Sequence, residues 1–317
     1  MVTTAIAQRG RGDAGYQELL DYLRVTSIPT EITDGVPLMQ VEAKNAQRSY
    51  LPNVTNEQFS DKKFVNVSGS NSGVSSHANT VANRYFSNTS FITGANNIDV
   101  YEAGDFVNNA LRTTGRVSNF DAKVASLAWT ASGSSSSLIS LFSIYLNRYD
   151  YASSTGNTLM VAGLNNGSGS SVPTLWGQSY NGVVVGRTDG RHSRNGTLDT
   201  YEGVGFTEGR VKPDIVAQDT TTSWVTGQVS SAVGYLYGYA DLLGHTAITE
   251  NTDLLKAVLL AGATKEEFPN WTNMANNNSV SSSLDPVFGA GEVNVFNSHR
   301  IIEGGEPVDG EIPLHGW

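Results

Sequence analysis

Thr158-Leu-Met-Val-Ala162 and Gly182-Val-Val-Val-Gly186 are the two runs that decide the fold. Both are short, apolar and rich in β-branched residues, and glycine-rich loop follows each. A strand without a polar face has packing layers on both sides, as in a parallel sheet. Working outward, residues 223–243 form a long helical stretch rich in small residues, and the serines at 134–137 lead into a helix through Leu138, Leu141, Ile144 and Tyr145. Lys123-Val-Ala-Ser-Leu127, Ile98-Asp-Val-Tyr-Glu102 and Val36-Pro-Leu-Met-Gln-Val-Glu42 are strand-like. His77–Phe86 reads as a short helix, residues 14–24 have helical spacing of Tyr16, Leu19, Leu20 and Leu23, and residues 50–76 read as loop. Strands alternating with helices predict an α/β fold, a mostly parallel central sheet flanked by helices on both faces.

The composition narrows the function classes. With 317 residues, 39% of them apolar and 16% charged, the chain can bury a sizeable core and is not held open by charge. A net charge of −10 argues against a nucleic-acid partner, because phosphate binding needs a basic face. No apolar run approaches the ~20 residues of a membrane span. With no cysteine there are no disulfides, thiol nucleophiles or Cys-ligated metals. The start, Met1-Val-Thr-Thr-Ala-Ile-Ala-Gln8, has neither a basic region nor an apolar one of the signal type.

In a parallel sheet, ligands sit beyond the carboxyl ends of the strands. Four loops there carry capable residues: Glu42, His77, Asn165 and Ser223. His77 enters a helix between small residues, where an imidazole is approachable by a substrate; a solvated histidine at a helix start reads the same way. The remaining histidines (His192, His245, His299, His315) are read as polar-loop or near-terminal residues, and no H-x-x-x-H pair supports zinc. Ser223 opens a helix, where free N–H groups and the helix dipole suit a nucleophile whose adduct is negative; an ordinary N-cap serine is the alternative. Asn165, in Val161-Ala-Gly-Leu-Asn-Asn-Gly-Ser168, can donate to an oxyanion or simply make a turn. Glu42 closes its strand and can orient an imidazole or remain a solvated strand end.

Taken in order, these segments resemble the subtilisin-like serine peptidases. Gly35-Val-Pro-Leu-Met-Gln-Val-Glu42 is similar to the family's G-V-x-V-A-V-I-D, His77-Ala-Asn-Thr-Val-Ala82 to H-G-T-H-V-A, and Ala162-Gly-Leu-Asn-Asn-Gly167 to A-G-N-x-G with one inserted residue. Lys212-Pro-Asp-Ile-Val-Ala217 is similar to K-P-D-I-V-A-P-G and Thr222-Ser-Trp-Val-Thr-Gly-Gln-Val229 to T-S-M-A-[AT]-P-x-V. Phe288-Gly-Ala-Gly-Glu-Val-Asn294 matches a late G-x-G-x-V-[ND] segment. The resemblance covers about residues 14–300 of a single domain over 1–317, leaving 301–317 as a C-terminal extension. The chain order of carboxylate, histidine and serine is that of the subtilisin type.

The resemblance implies a serine endopeptidase acting on protein or peptide. Ser223 would be the nucleophile, His77 the base, Glu42 the carboxylate behind it, and Asn165 with the Ser223 N–H the oxyanion donors. Ser126, Leu127, Ala128 and Trp129 would pair with an extended substrate and, with Ala162 and Gly163, line the pocket for the residue before the cleaved bond. It also implies a mature, secreted or extracytoplasmic bacterial enzyme without a cofactor. Many relatives bind structural calcium, but no D-x-D-x-D-G loop is present and none is assigned. The departures are Glu42 for the usual Asp, Thr221 for the Gly before the serine motif, Gly227 for its Pro, and Trp129 for a Gly. The Leu164 insertion leaves a choice between Asn165 and Asn166, resolved here for Asn165 because Asn165-Asn166-Gly167 then reads N-x-G. Asp34 and Asp61 are fallback carboxylates. The rival reading is a scaffold that binds a peptide strand without cleaving it. An esterase of another α/β fold lacks its G-x-S-x-G elbow.

Overall fold

The structure is a computed structural model describing residues 15–26, 28, 34–69, 72–131, 135–167, 175–193, 211–272 and 283–305. Most of the expected extension at 301–317, and the first eight residues, lie outside the described residues. The elements in chain order are α1 (Tyr16–Thr26), β1 (Pro37–Glu42), β2 (Lys63–Asn66), α2 (Ser76–Tyr85), β3 (Asn97–Glu102), β4 (Val124–Leu127), α3 (Ser136–Thr155), β5 (Leu159–Gly163), β6 (Val183–Arg187), β7 (Ile215–Ala217), α4 (Thr222–Leu242), α5 (Thr252–Ala261) and α6 (Val295–Gly304). The strands form one seven-stranded sheet in the order β2-β3-β1-β4-β5-β6-β7, and every pairing is parallel.

Alternation along each strand splits the core into two layers. Leu38, Val124, Leu159, Val161, Val183, Val185 and Ile215 face one side, with α1, α2, α4, α5 and α6. Met39, Val41, Ala125, Leu127, Met160 and Ala162 face the other, with α3 and the Phe106–Leu111 turn. Successive residues of a strand point to opposite faces, so strands that are apolar throughout need both layers. Each fully buried Val or Leu contributes on the order of 2 kcal/mol.

α4 runs through the first layer and is buried on nearly all sides, which is why its sequence lacks a polar stripe. Its small residues permit close approach. A Cβ at Gly227 would lie 2.9 Å from the Val81 carbonyl of α2, and one at Gly163 would lie 3.2 Å from the Thr222 carbonyl. These two glycines let α2 and the end of β5 converge on the first turns of α4. They converge where the strand order switches: from β1 the chain builds β2 and β3 on one side, then β4 to β7 on the other. That switch point is where an open parallel sheet forms its crevice.

Two strands escaped the sequence reading. β2 lies inside the stretch read as loop; its four residues are alternately exposed and half-buried at the sheet edge. β7 is only three residues long. His192 and His299, read as loop histidines, are both fully buried, and His299 lies on α6.

Candidate active site

β1 ends at Glu42, whose side chain is 1% exposed. α2 starts opposite it, capped by Ser75, whose hydroxyl accepts from the Ala78 N–H. His77, in the first turn, brings Nδ1 within 2.8 Å of Glu42 Oε2. The carboxylate can only accept, so Nδ1 carries the proton and Nε2 of the neutral ring is the acceptor. Burial pushes the His77 pKa down, but the hydrogen bond and charge of Glu42 outweigh it and hold the imidazole above its ordinary value. The fallback carboxylates lie elsewhere: Asp34 is exposed in the turn before β1, and Asp61 pairs with Lys62 at 2.7 Å.

The His77 ring lies 5.0 Å from the ring of Trp224, in the first turn of α4. The Arg84 guanidinium also lies over that indole, 5.2 Å from its centre, and holds Asp219 through two nitrogens. Thr221 caps α4, its hydroxyl accepting from the Trp224 N–H at 3.3 Å. The Thr222 N–H donates to Asn166 Oδ1 at 2.9 Å. Between these two satisfied groups the Ser223 N–H has no acceptor among the described residues. Ser223 Oγ donates to the Ala128 carbonyl at 3.1 Å, and no hydrogen bond joins it to His77.

The structure puts Asn166, not Asn165, against the first turn of α4. The inserted Leu164 is 1% exposed and its N–H bonds to the Val185 carbonyl, so it continues along β6. Asn165 is then held by its backbone: its N–H donates to Ser193 Oγ at 3.1 Å, and its carbonyl accepts from the Ser193 N–H at 2.8 Å. His192 anchors the Ser193 side of that contact. Its Nδ1 accepts from the Arg187 N–H at 2.9 Å, and its Nε2 reaches the Val287 carbonyl at 2.9 Å. With Oδ1 turned to Thr222, the Asn166 Nδ2 donates to nothing among the described residues.

The expected substrate strand is only partly accessible. Ser126 and Leu127 lie within β4, between β1 and β5, and both are fully buried. Ala162 and Gly163 pair with β6 on one side and β4 or α4 on the other, so they too are interior. Beyond the sheet, Ala128 is 3% exposed with its carbonyl accepting from Ser223, and Trp129 is half-buried. Trp129 meets Trp176 edge-on at 5.4 Å, and Trp176 stacks on Tyr149 at 4.8 Å. Among the described residues, no group of three or more His, Asp or Glu is placed to hold a metal ion, and no helix is long and apolar enough to cross a membrane.

Sequence reasoning missed Gln40, which bonds Glu42, and the His192–Ser193 segment that holds Asn165. Gln40 carried a legible signal, being a polar residue inside a buried strand, two positions before the carboxylate and therefore on its face. The contacts of His192 and Ser193 carried none.

No family model matches the chain, and no curated protein sequence matches it significantly. Solved structures do match. The prenylagaramide maturation protease PagA superposes with a TM-score of 0.55 at 14% identity, over 90% of this chain and 98% of that one. A lanthipeptide protease gives 0.56 at 11% identity, over 89% and 92%. An epidermin leader peptide processing serine protease from Staphylococcus aureus, in a mutant form, gives 0.54 at 11% identity, over 84% and 76%. The fold is that of the subtilisin-like proteases.

Proposed function

We propose that the chain is a serine endopeptidase with Ser223 as nucleophile, His77 as general base and Glu42 as the carboxylate behind it. The observation that carries this reading is the 2.8 Å contact of buried Glu42 with His77 Nδ1, made beside the first turn of the helix that bears Ser223. It leaves Nε2 free to accept the hydroxyl proton. Ser223 Oγ attacks the scissile carbonyl carbon as its proton passes to Nε2. The oxyanion accepts from the Ser223 N–H and Asn166 Nδ2, the two donors left unengaged at the start of α4. His77 returns the proton to the amine nitrogen, the C–N bond breaks, and water then hydrolyses the acyl-enzyme by the same relay.

The Ser223–Ala128 bond is a resting arrangement in this proposal; catalytic hydrogen bonds are often long or absent before substrate binds. An extended substrate aligned beyond β4, along Ala128 and Trp129, would release the hydroxyl from the Ala128 carbonyl. The substrate class is an unstructured peptide segment; the names of the structural neighbours, maturation and leader-processing proteases, support precursor peptides as the first to try. An extracytoplasmic place of action belongs to the same proposal, on the resemblance of the motifs to secreted peptidases.

The alternative is a scaffold that holds a peptide strand without cutting it. The observation in its favour is that Ser223 Oγ bonds Ala128 and not His77. Fluorophosphonate labelling, read by peptide mass spectrometry, separates the two. An adduct on Ser223 that is lost in His77→Ala supports the peptidase. A folded protein that takes no label and leaves an unstructured protein uncut supports the binding scaffold.

A further inference from the structure

Gln40 and Glu42 are two residues apart on β1, so both side chains leave the face that carries α2 and α4. Gln40 is completely buried. Its Nε2 lies 2.9 Å from Glu42 Oε1 and 2.9 Å from the Ala78 carbonyl of α2. Both partners can only accept, so the amide has one orientation that satisfies them. Its Oε1 faces inward without a partner, as does the hydroxyl of Ser126, which is its register neighbour on β4. A buried primary amide among apolar strands is unfavourable unless its bonds repay it, and here both donor bonds go to the surroundings of one contact. Ala78 follows His77 in the chain, so a single NH₂ group ties together the carboxylate and the turn bearing the imidazole.

This also bears on why a glutamate works where an aspartate is usual. Glutamate has one more rotatable bond, and a carboxylate held only through His77 would sample other rotamers. With Oε1 held by Gln40, Oε2 is the oxygen left for Nδ1.

We infer that Gln40 is a positioning residue for the proposed reaction, holding Glu42 and the first turn of α2 so that Oε2 stays on His77 Nδ1. The inference rests on the proposed peptidase reading. The competing role is structural: an amide that merely joins β1 to α2.

Gln40→Met keeps length and burial but removes both donor bonds. On an unstructured peptide, kcat falls at least tenfold while KM stays within about twofold. In a Glu42→Gln background the same change alters kcat less than about threefold, because the carboxylate it serves is already gone. The rising limb of the pH profile moves to lower pH, since His77 loses part of the pull of Glu42. The other groups near His77 do not change: Trp224 from α4, and over the same indole Arg84 of α2, paired with Asp219. Equal losses in both backgrounds with an unmoved pH limb would overturn the inference in favour of the structural role.

An NMR titration of His77 in the Ser223→Ala protein reads the same coupling without turnover. A lower His77 pKa in Gln40→Met supports the inference; an unchanged one refutes it. Should the peptidase reading itself fail, shown by no label and no hydrolysis in the wild type, this titration still reports whether Gln40 controls the contact. If Gln40→Met does not fold, Gln40→Asn keeps the amide one methylene short. The same cycle and titration then apply: a lowered His77 pKa supports the positioning role, and an unchanged one refutes it.

Discussion

Replacing Glu42 by Gln removes one charge from a residue that is 1% exposed and 2.8 Å from His77 Nδ1. Two effects follow. The amide can present its NH₂ to Nδ1, which favours the tautomer with the proton on Nε2, the wrong nitrogen for a base. The imidazolium that the proposed attack forms also loses its counter-charge. In subtilisin, loss of the triad carboxylate lowers turnover by roughly 10⁴, or about 5 kcal/mol of barrier. The same order is expected for Glu42→Gln, with KM little changed. The pH profile supplies the sign. In the wild type, burial lowers the His77 pKa and Glu42 more than reverses it, so the imidazole is held above its ordinary value of 6.5. Glu42→Gln leaves burial unopposed, so the rising limb of kcat/KM moves below 6.5. The same linkage acts on stability: the wild-type ion pair stabilises fully below pH 6.5, and its contribution is lost as pH rises through the raised folded value. Steady-state kinetics from pH 5 to 9, with an NMR titration of His77, test both parts. Glu42→Gln turnover within tenfold of wild type, or an unmoved His77 pKa, would refute the triad reasoning.

Two further expectations can be tested independently. Asn166→Ala should lower kcat by about 10²–10³ with KM nearly constant, the usual effect of deleting an oxyanion donor, whereas Asn165→Ala should cost less than tenfold. The reverse ranking in steady-state kinetics would return the role to Asn165. His299 is fully buried, shares a 3.0 Å hydrogen bond with Tyr235 and stacks on Tyr239 at 4.0 Å. Burial, opposed by Glu303 and reinforced by Arg300, lowers its pKa from 6.5 to about 4. Its folded value is below its unfolded one, so the stabilisation is present above pH 6.5 and drains away as pH falls toward 4. That loss is on the order of 3 kcal/mol. Urea unfolding across that range should show a shallower pH slope in His299→Phe, and parallel slopes would exclude His299 as the acid-sensitive group.

The fold was legible where packing leaves a mark on composition. β5 and β6 lie inside the sheet with layers on both faces, and their runs of Val, Leu and Met have no other good explanation. α4 was legible from small residues, because a helix wedged between a sheet and other helices must keep its neighbours close. β2 was not legible. An edge strand of four residues with half its side chains in solvent carries a pattern that loops also carry. The long reach from β6 to β7 hid β7, whose three residues pair through an adjacent strand and a bridge to Glu292.

The site divides along a similar line. Residue type and order were readable: a carboxylate closing β1, a histidine in the first turn of α2 and a serine in the first turn of α4 each follow from local signals. What was not readable is register, the question of which of two neighbouring residues a loop turns inward. N-x-G spacing favours Asn165 over Asn166, yet Leu164 extends the pairing with β6 and Ser193 binds both backbone groups of Asn165. Asn166 is thereby the residue brought to Thr222. Ser126 and Leu127 match a substrate-pairing motif in type, but β1 and β5 flank both of them, and that pairing ends at Leu127. Local patterns specify which atoms a site contains. Long-range backbone bonds decide which of them face the crevice, and a loop with an inserted residue such as Leu164 is where the two kinds of information part. Gln40 lies on that boundary, since its placement on the face of Glu42 is a period-two inference from the chain and its second bond, to Ala78, exists only once α2 has docked.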